Sequence, residues 1–135
     1  MSQALIILAD GFEEIEAVSI IDILRRGKVD VTIATLSGNQ ATGAHNIITQ
    51  GDIPLDTVDR LYDVIILPGG EPGTTNLENS PLVSQLIKQH YEAGKWVAAI
   101  CAAPRILDGL GLLNGKTATS YPSTKESMTH ICNGG

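Results

Sequence analysis

Cysteine, aromatic side chains and basic charge are all scarce in this 135-residue chain, and each scarcity narrows what it can be. Two cysteines, Cys101 and Cys132, are too few for a disulfide framework, so a reducing compartment, the cytoplasm, is the expected setting. Aromatic residues make up 4 % of the chain and apolar residues 43 %, so the core must be mainly Ile, Leu, Val and Ala. Nine Lys and Arg, scattered without a stripe, leave a net charge of −6. That balance argues against nucleic acid or an anionic membrane as partner, because both are bound through a basic face. No apolar run approaches membrane-spanning length. Met1–Leu8 lacks a basic leader and a small-residue cleavage site, and reads as a first strand. Metal-ligand spacing, a Walker-type loop and the dinucleotide glycine fingerprint are all missing, so neither metal nor cofactor is expected.

What is present is an alternation of apolar strands and amphipathic helices. Leu5–Ala9 is a short, wholly apolar run followed by Asp10-Gly11, the pattern of a strand buried on both faces. From Glu13 to Arg26 the pattern turns helical, with Ile15, Val18, Ile20, Ile21 and Leu24 as its apolar face. Glu13, Glu14 and Glu16 suit the start of that helix and Arg25, Arg26 and Lys28 its end, with Gly27 as the stop. Val29–Thr35 is a second strand, Ser37–Leu55 a hairpin excursion, and Tyr62–Leu67 a buried strand ending in Pro68-Gly69-Gly70. Ser80-Pro81 starts a helix with an inner face of Leu82, Val83, Leu86 and Ile87, and His90 is expected on its solvated side. Lys95–Cys101 is a strand, Ala102–Leu107 opens a helix, and Lys116–Ser120 is a last short strand. Ser123–Glu126 has capping-box spacing. The length suits one domain over residues 1–135, an α/β sandwich with a mostly parallel sheet.

Ligands of such sheets sit at the carboxyl ends of the strands, near the point where strand order reverses. Three loops end there: Asp10–Glu16, Pro68–Gly73 and Cys101–Pro104. A cysteine at a strand-to-helix turn faces free N–H groups and the positive end of a helix, which favour its thiolate. Cys101 therefore reads either as a reactive thiol or as a small buried apolar side chain. Glu16 is within reach as a proton carrier, or is a surface acid, which Glu13 and Glu14 are expected to be. Gly69 and Gly70 bring backbone N–H groups close to a bound oxygen, or simply make a tight turn; with the N–H of Ala102 they form a candidate oxyanion hole. His130 is a weak candidate for a Cys–His pair, and Cys132 reads as a structural or exposed thiol.

Three segments, Ala9–Ala17, Asp63–Gly70 and Ala98–Pro104, together resemble the ThiJ/PfpI superfamily, and within it the group of the parkinsonism-associated protein deglycase. The resemblance covers nearly the whole chain and keeps the three motifs in order. It implies a flavodoxin-like three-layer sandwich, a homodimer, a nucleophile at Cys101, a protonated glutamate at Glu16 and oxyanion amides at Gly70 and Ala102. It implies a cofactor-independent glyoxalase or deglycase acting on small dicarbonyls or glycated substrates, or a redox-regulated chaperone and oxidation sensor using the same cysteine. Ala102 stands where the protease-like branch has histidine, which counts against peptidase activity. Tyr121 stands where the deglycase group often has a histidine; as an accessory group it offers a hydrogen bond but is a poor base near neutral pH. The family domain continues with a further strand, a Gly-Pro-Gly loop and a closing helix, so a chain ending at Gly135 is expected to lack its C-terminal strand and helix.

Overall fold

The computed structural model describes residues 2–122. In chain order the elements are β1 (Gln3–Leu8), α1 (Glu14–Arg26), β2 (Asp30–Thr35), β3 (Gln40–Thr42), β4 (Ile48–Gln50), β5 (Ile53–Pro54), β6 (Val64–Leu67), α2 (Gly73–Glu78), α3 (Pro81–Glu92), β7 (Trp96–Ala99) and α4 (Pro104–Gly109). One sheet has the order β5-β2-β1-β6-β7, and every neighbouring pair in it is parallel. β3 and β4 form a separate antiparallel hairpin, the expected excursion. The fold is the flavodoxin-like α/β sandwich.

Period-two alternation in β1 builds two cores from one strand. Leu5 and Ile7 face a cluster with Leu67, Val83, Leu86, Ile87 and Ile106, under α3 and α4. Ala4, Ile6 and Leu8 face a second cluster with Ala17, Ile21, Ile33 and Ile66, under α1. The chain runs from β1 out to β2, then returns to β6 on the other side of β1. Strand order thus reverses between β1 and β6, and the loops that follow them open the crevice there.

Several expectations need correction. On α1 the buried face is Glu14, Ala17 and Ile21, while Ile15 and Val18 are 76 % and 50 % exposed. The small Ala17 lets the helix sit close to the sheet, so the contact stripe is set by size, and the bulkier Ile15 and Val18 lie on the neighbouring stripe. Gly27 does follow α1, but the left-handed residue is Lys28, with φ 66°. His90 is fully buried, not solvated: Nδ1–H donates to Leu86 O at 2.7 Å and Nε2 accepts the Tyr62 N–H at 3.0 Å. Both ring nitrogens are satisfied, which makes an imidazole acceptable in a core. Among the described residues Lys116–Ser120 joins no ladder; the Tyr121 N–H donates to Cys101 O at 2.7 Å, tying the end of that segment to the turn after β7. β5 and α2 were not anticipated, both being too short to carry a periodic signal. The Ser80 cap holds, its Oγ accepting the Val83 N–H at 3.3 Å. Ser123–Glu126, His130 and Cys132 lie outside the described residues.

Glu14 is not a surface acid. It is 5 % exposed and anchors the β3–β4 hairpin to α1: Oε2 accepts the N–H groups of His45 and Ile47, and Oε1 accepts the His45 Nδ1–H at 2.9 Å. Gly43 makes room for it, since a Cβ there would stand 2.2 Å from the Glu14 carboxyl carbon. Burial opposes ionisation of Glu14, but the hydrogen bonds from the His45 ring and from the N–H groups of Glu14, His45 and Ile47 together bring it from 4.5 down to about 2. The same contact, helped by the charges of Glu13 and Glu14, raises His45 above 6.5. The Glu14 contribution is therefore present above pH 4.5 and lost as pH falls toward about 2. The His45 contribution is complete below pH 6.5 and lost as pH rises through its higher folded value. Thermal melts of wild type and His45→Ala should differ most below pH 6.5, and the gap should narrow as pH rises; a gap that widens with pH would contradict this clamp.

Candidate functional site

Cys101 follows β7, where the Ile100 N–H still bonds Leu67 O at 3.3 Å. Its backbone then turns left-handed, with φ 59°. That region costs a side-chain-bearing residue roughly 1–2 kcal/mol. The turn through Ala102 and Ala103 leads into α4, where Pro104 occupies the first position. The strained turn lifts the sulfur out of the sheet into the crevice, as a nucleophile elbow does.

Glu16, in the first turn of α1, points inward, and its Oε1 accepts the Gly69 N–H at 2.9 Å. The Glu16 carboxylate and the N–H groups of Ala102 and Gly70 are also near enough to the thiol to act on its ionisation. Gly69 is what permits this. A Cβ on it would lie 2.6 Å from Cys101 Cβ, 2.8 Å from Glu16 Oε1 and 3.1 Å from Ala102 N. Gly70, at φ +94°, is equally confined: a Cβ there would stand 2.4 Å from Glu13 N. The loops after β1 and β6 are stitched together by Glu13 N–H to Gly69 O at 2.9 Å and Gly73 N–H to Gly11 O at 3.1 Å.

The structure thus brings Cys101, Glu16, Gly69, Gly70 and Ala102 together. Two expectations change. Gly69 directs its N–H to Glu16, leaving the N–H groups of Gly70 and Ala102 as the ones that favour charge on the sulfur. The thiol is not lowered by its position. Burial pushes it above its ordinary value, the neighbouring Glu16 carboxylate pushes the same way, and the N–H groups of Ala102 and Gly70 only partly offset them. A six-residue α4 carries too small a dipole to reverse that.

The sulfur lies on a cleft of about 330 Å³ walled by Glu13, Gly70, Glu71, Arg105 and Tyr121. A second hollow of about 370 Å³, lined in part by Pro104, Thr119 and Ser120, meets it at Cys101 and Tyr121. Tyr121 is 54 % exposed and forms part of both walls. A larger groove of about 530 Å³, beside α3 and residues 58–61, contains neither cysteine nor histidine. Glu71 and Arg105 went unnoticed in the sequence. Arg105 lies four residues beyond the cysteine, but nothing local says that its guanidinium turns back toward the cleft. Among the described residues, Glu13, Glu14 and His45 are grouped closely enough to hold a metal ion, their ligand atoms lying within 4.8 Å of one another. Hydrogen bonding within the hairpin clamp already accounts for Glu14 and His45.

Residues 2–134 match the DJ-1/PfpI family. Protein DJ-1 homolog A of Arabidopsis thaliana is 41 % identical over 131 residues, which are 95 % of this chain and 33 % of that protein. A deglycase of Pyrococcus abyssi is 32 % identical over 127 residues, 93 % of this chain and 76 % of that protein. The structure of oxidized Toxoplasma gondii DJ-1 superposes with a TM-score of 0.92 at 35 % identity, over 96 % of this chain and 72 % of that one. The chain spans about a third of the plant relative's length.

The backbone strain at Cys101 makes a prediction that runs against ordinary glycine behaviour. Cys101→Gly should be more stable than Cys101→Ala by roughly 0.5–1 kcal/mol, because relief of the left-handed strain exceeds the entropic cost of glycine. Denaturant midpoints of the two variants measure it, and a more stable alanine variant would mean the turn is unstrained.

Proposed function

Because the chain belongs to the DJ-1/PfpI family, we propose that it is a cofactor-independent glyoxalase or protein deglycase that works through Cys101 and Glu16. The observation that carries this reading is that the Cys101 and Glu16 side chains close on each other over Gly69. The deglycase among its relatives supports it.

With methylglyoxal as substrate, the Cys101 thiol passes its proton to Glu16 as sulfur adds to the aldehyde carbon. The carbonyl electron pair moves onto oxygen, beside the Gly70 and Ala102 N–H groups that favour negative charge at the sulfur. That oxygen takes the proton from Glu16 and gives a neutral hemithioacetal. Glu16 next removes the C–H proton from the same carbon, forming an enediolate, and returns it to the neighbouring carbon while the hydroxyl proton passes from the first oxygen to the second. The result is a hydroxy thioester, the aldehyde carbon oxidised and the ketone carbon reduced within one molecule. Water cleaves the thioester, releasing lactate and restoring the thiol. Tyr121 supplies a hydrogen-bond donor at the cleft wall. The reading includes a cytoplasmic setting, which keeps Cys101 reduced, and a homodimer. Ile15 and Val18 on α1 and Ile47 and Ile48 on the hairpin are each at least 50 % exposed and supply an apolar surface for a second copy.

A second reading rests on the same half-buried Cys101 and its polar neighbours. Two equivalents of peroxide convert a thiolate to a sulfinate with loss of two waters, and Glu16 would hydrogen-bond the new oxygens. Cys101 would then be an oxidation sensor with a chaperone output.

Cys101→Ser should abolish methylglyoxal turnover, and Glu16→Gln should lower it about 10²–10⁴-fold. Full turnover by the serine variant would rule out the enzymatic reading. Selective oxidation of Cys101 by mild peroxide, detected by mass spectrometry in a chain that turns over no dicarbonyl, would favour the sensor.

A further inference from the structure

Charge around the Cys101 cleft is unevenly distributed. Arg105, on the first turn of α4, is the cation on its wall among the described residues, and its side chain is only 19 % exposed. The guanidinium is already committed: Nη1 to Glu71 Oε1 at 2.7 Å, Nε to Glu78 Oε2 at 3.5 Å, and Nη2–H to Thr75 Oγ1 at 2.9 Å. Its positive charge is shared by two carboxylates and is not held free for a ligand. The same contacts fix Glu71, whose Oε2 also accepts the Thr75 hydroxyl at 2.8 Å and the Thr75 N–H at 3.4 Å. Glu71 is therefore held on the cleft wall, its side chain 46 % exposed. The same cleft is lined by Glu13, 26 % exposed, with His45 Nδ1 3.7 Å from its Oε1. His45 bonds Glu14 at the shorter distance of 2.9 Å, so even when protonated it serves two acids.

Among the described residues, leaving Glu16 aside, the cleft wall carries Glu13 and Glu71 against Arg105, and behind it Glu14 and Glu78 pair with His45 and Arg105. The N-terminal end of α1 adds roughly half a positive charge. The balance stays negative, and it grows more so as pH rises and His45 loses its proton.

We propose that this cleft is an electrostatic filter, in which Glu13 and the Arg105-positioned Glu71 turn away anionic carbonyl compounds and admit neutral or cationic ones. The inference rests on Cys101 being the reacting atom, as proposed above. It narrows the substrate class to dicarbonyls without a carboxylate or phosphate, and to adducts next to a positively charged group. Aldehydes of 2-oxo acids and sugar phosphates fall on the excluded side. The opposing reading of the same cleft is that Arg105 anchors anions, and one experiment separates the two.

Iodoacetamide and iodoacetate form the same S–C bond with a thiolate and expel the same iodide, but only the second carries a negative charge. The rates at Cys101 of the 135-residue chain, followed by peptide mass spectrometry so that Cys132 is read separately, give a ratio in which the thiolate fraction cancels. At low salt the preference for iodoacetamide should exceed that of free cysteine by roughly three- to tenfold. It should fall toward the free-cysteine ratio in about 0.5 M salt and in the denatured chain. Glu71→Gln and Glu13→Gln should each reduce the preference, judged within each variant against its own iodoacetamide rate. A ratio at or below that of free cysteine would overturn the filter and favour an anion anchor. A high ratio that neither substitution moves would also overturn it, by assigning the effect to the net charge of the whole chain. None of these readouts needs turnover, so a reactive but charge-blind Cys101 defeats the filter alone. A Cys101 inert to both reagents defeats the catalytic reading with it.

Discussion

Everything at this site depends on the missing side chain of Gly69. Two elements from distant parts of the chain, the first turn of α1 and the turn after β7, can close on each other only where the backbone between them has no Cβ. The 2.6 Å and 2.8 Å that a Cβ would leave to Cys101 and Glu16 show how little space is spare. Gly69 also holds the acid in place through its N–H, at 2.9 Å from Glu16 Oε1. One residue thus sets both the distance and the orientation of the pair.

That approach needs rigid flanks. The sheet supplies them by burying both faces of β1 and by pairing β6 between β1 and β7. The α1 start is fixed from the outside by the Glu14 clamp to the hairpin. It is fixed from the inside by Glu13 N–H to Gly69 O. The neighbouring acids on α1 accordingly do three different jobs: Glu13 faces the cleft, Glu14 anchors the hairpin, and Glu16 meets the sulfur. Their roles follow from the 100° that separates successive residues on a helix.

Much of this was legible in the sequence. Short apolar runs followed by glycine-containing loops identify the parallel strands, and three such loops converging at the strand ends identify the crevice with Cys101, Glu16 and Gly70. The rest was hidden for physical reasons. Apolar periodicity marks Ile15 and Val18 as core, but a small Ala17 took the contact face, and periodicity does not weigh size. His90 looked polar and hence exposed; its burial depends on a carbonyl one turn back and an N–H from residue 62, a contact across 28 positions. The thiol's upward shift was equally invisible, since a strand-to-helix turn promises stabilising dipoles while burial and a neighbouring carboxylate are known only from packing.

The coupling between Glu16 and Cys101 is the claim on which the chemistry stands, and the pH titration of the Cys101 thiolate, by its ultraviolet absorbance in wild type and in Glu16→Gln with Cys132 replaced in both, tests it most directly. Removing the carboxylate charge while keeping its shape should move the midpoint down, because that charge helps hold the wild-type thiol above its ordinary value. A midpoint that stays where it is, or rises, would mean that Glu16 does not act on the sulfur as a carboxylate, and the account would fail.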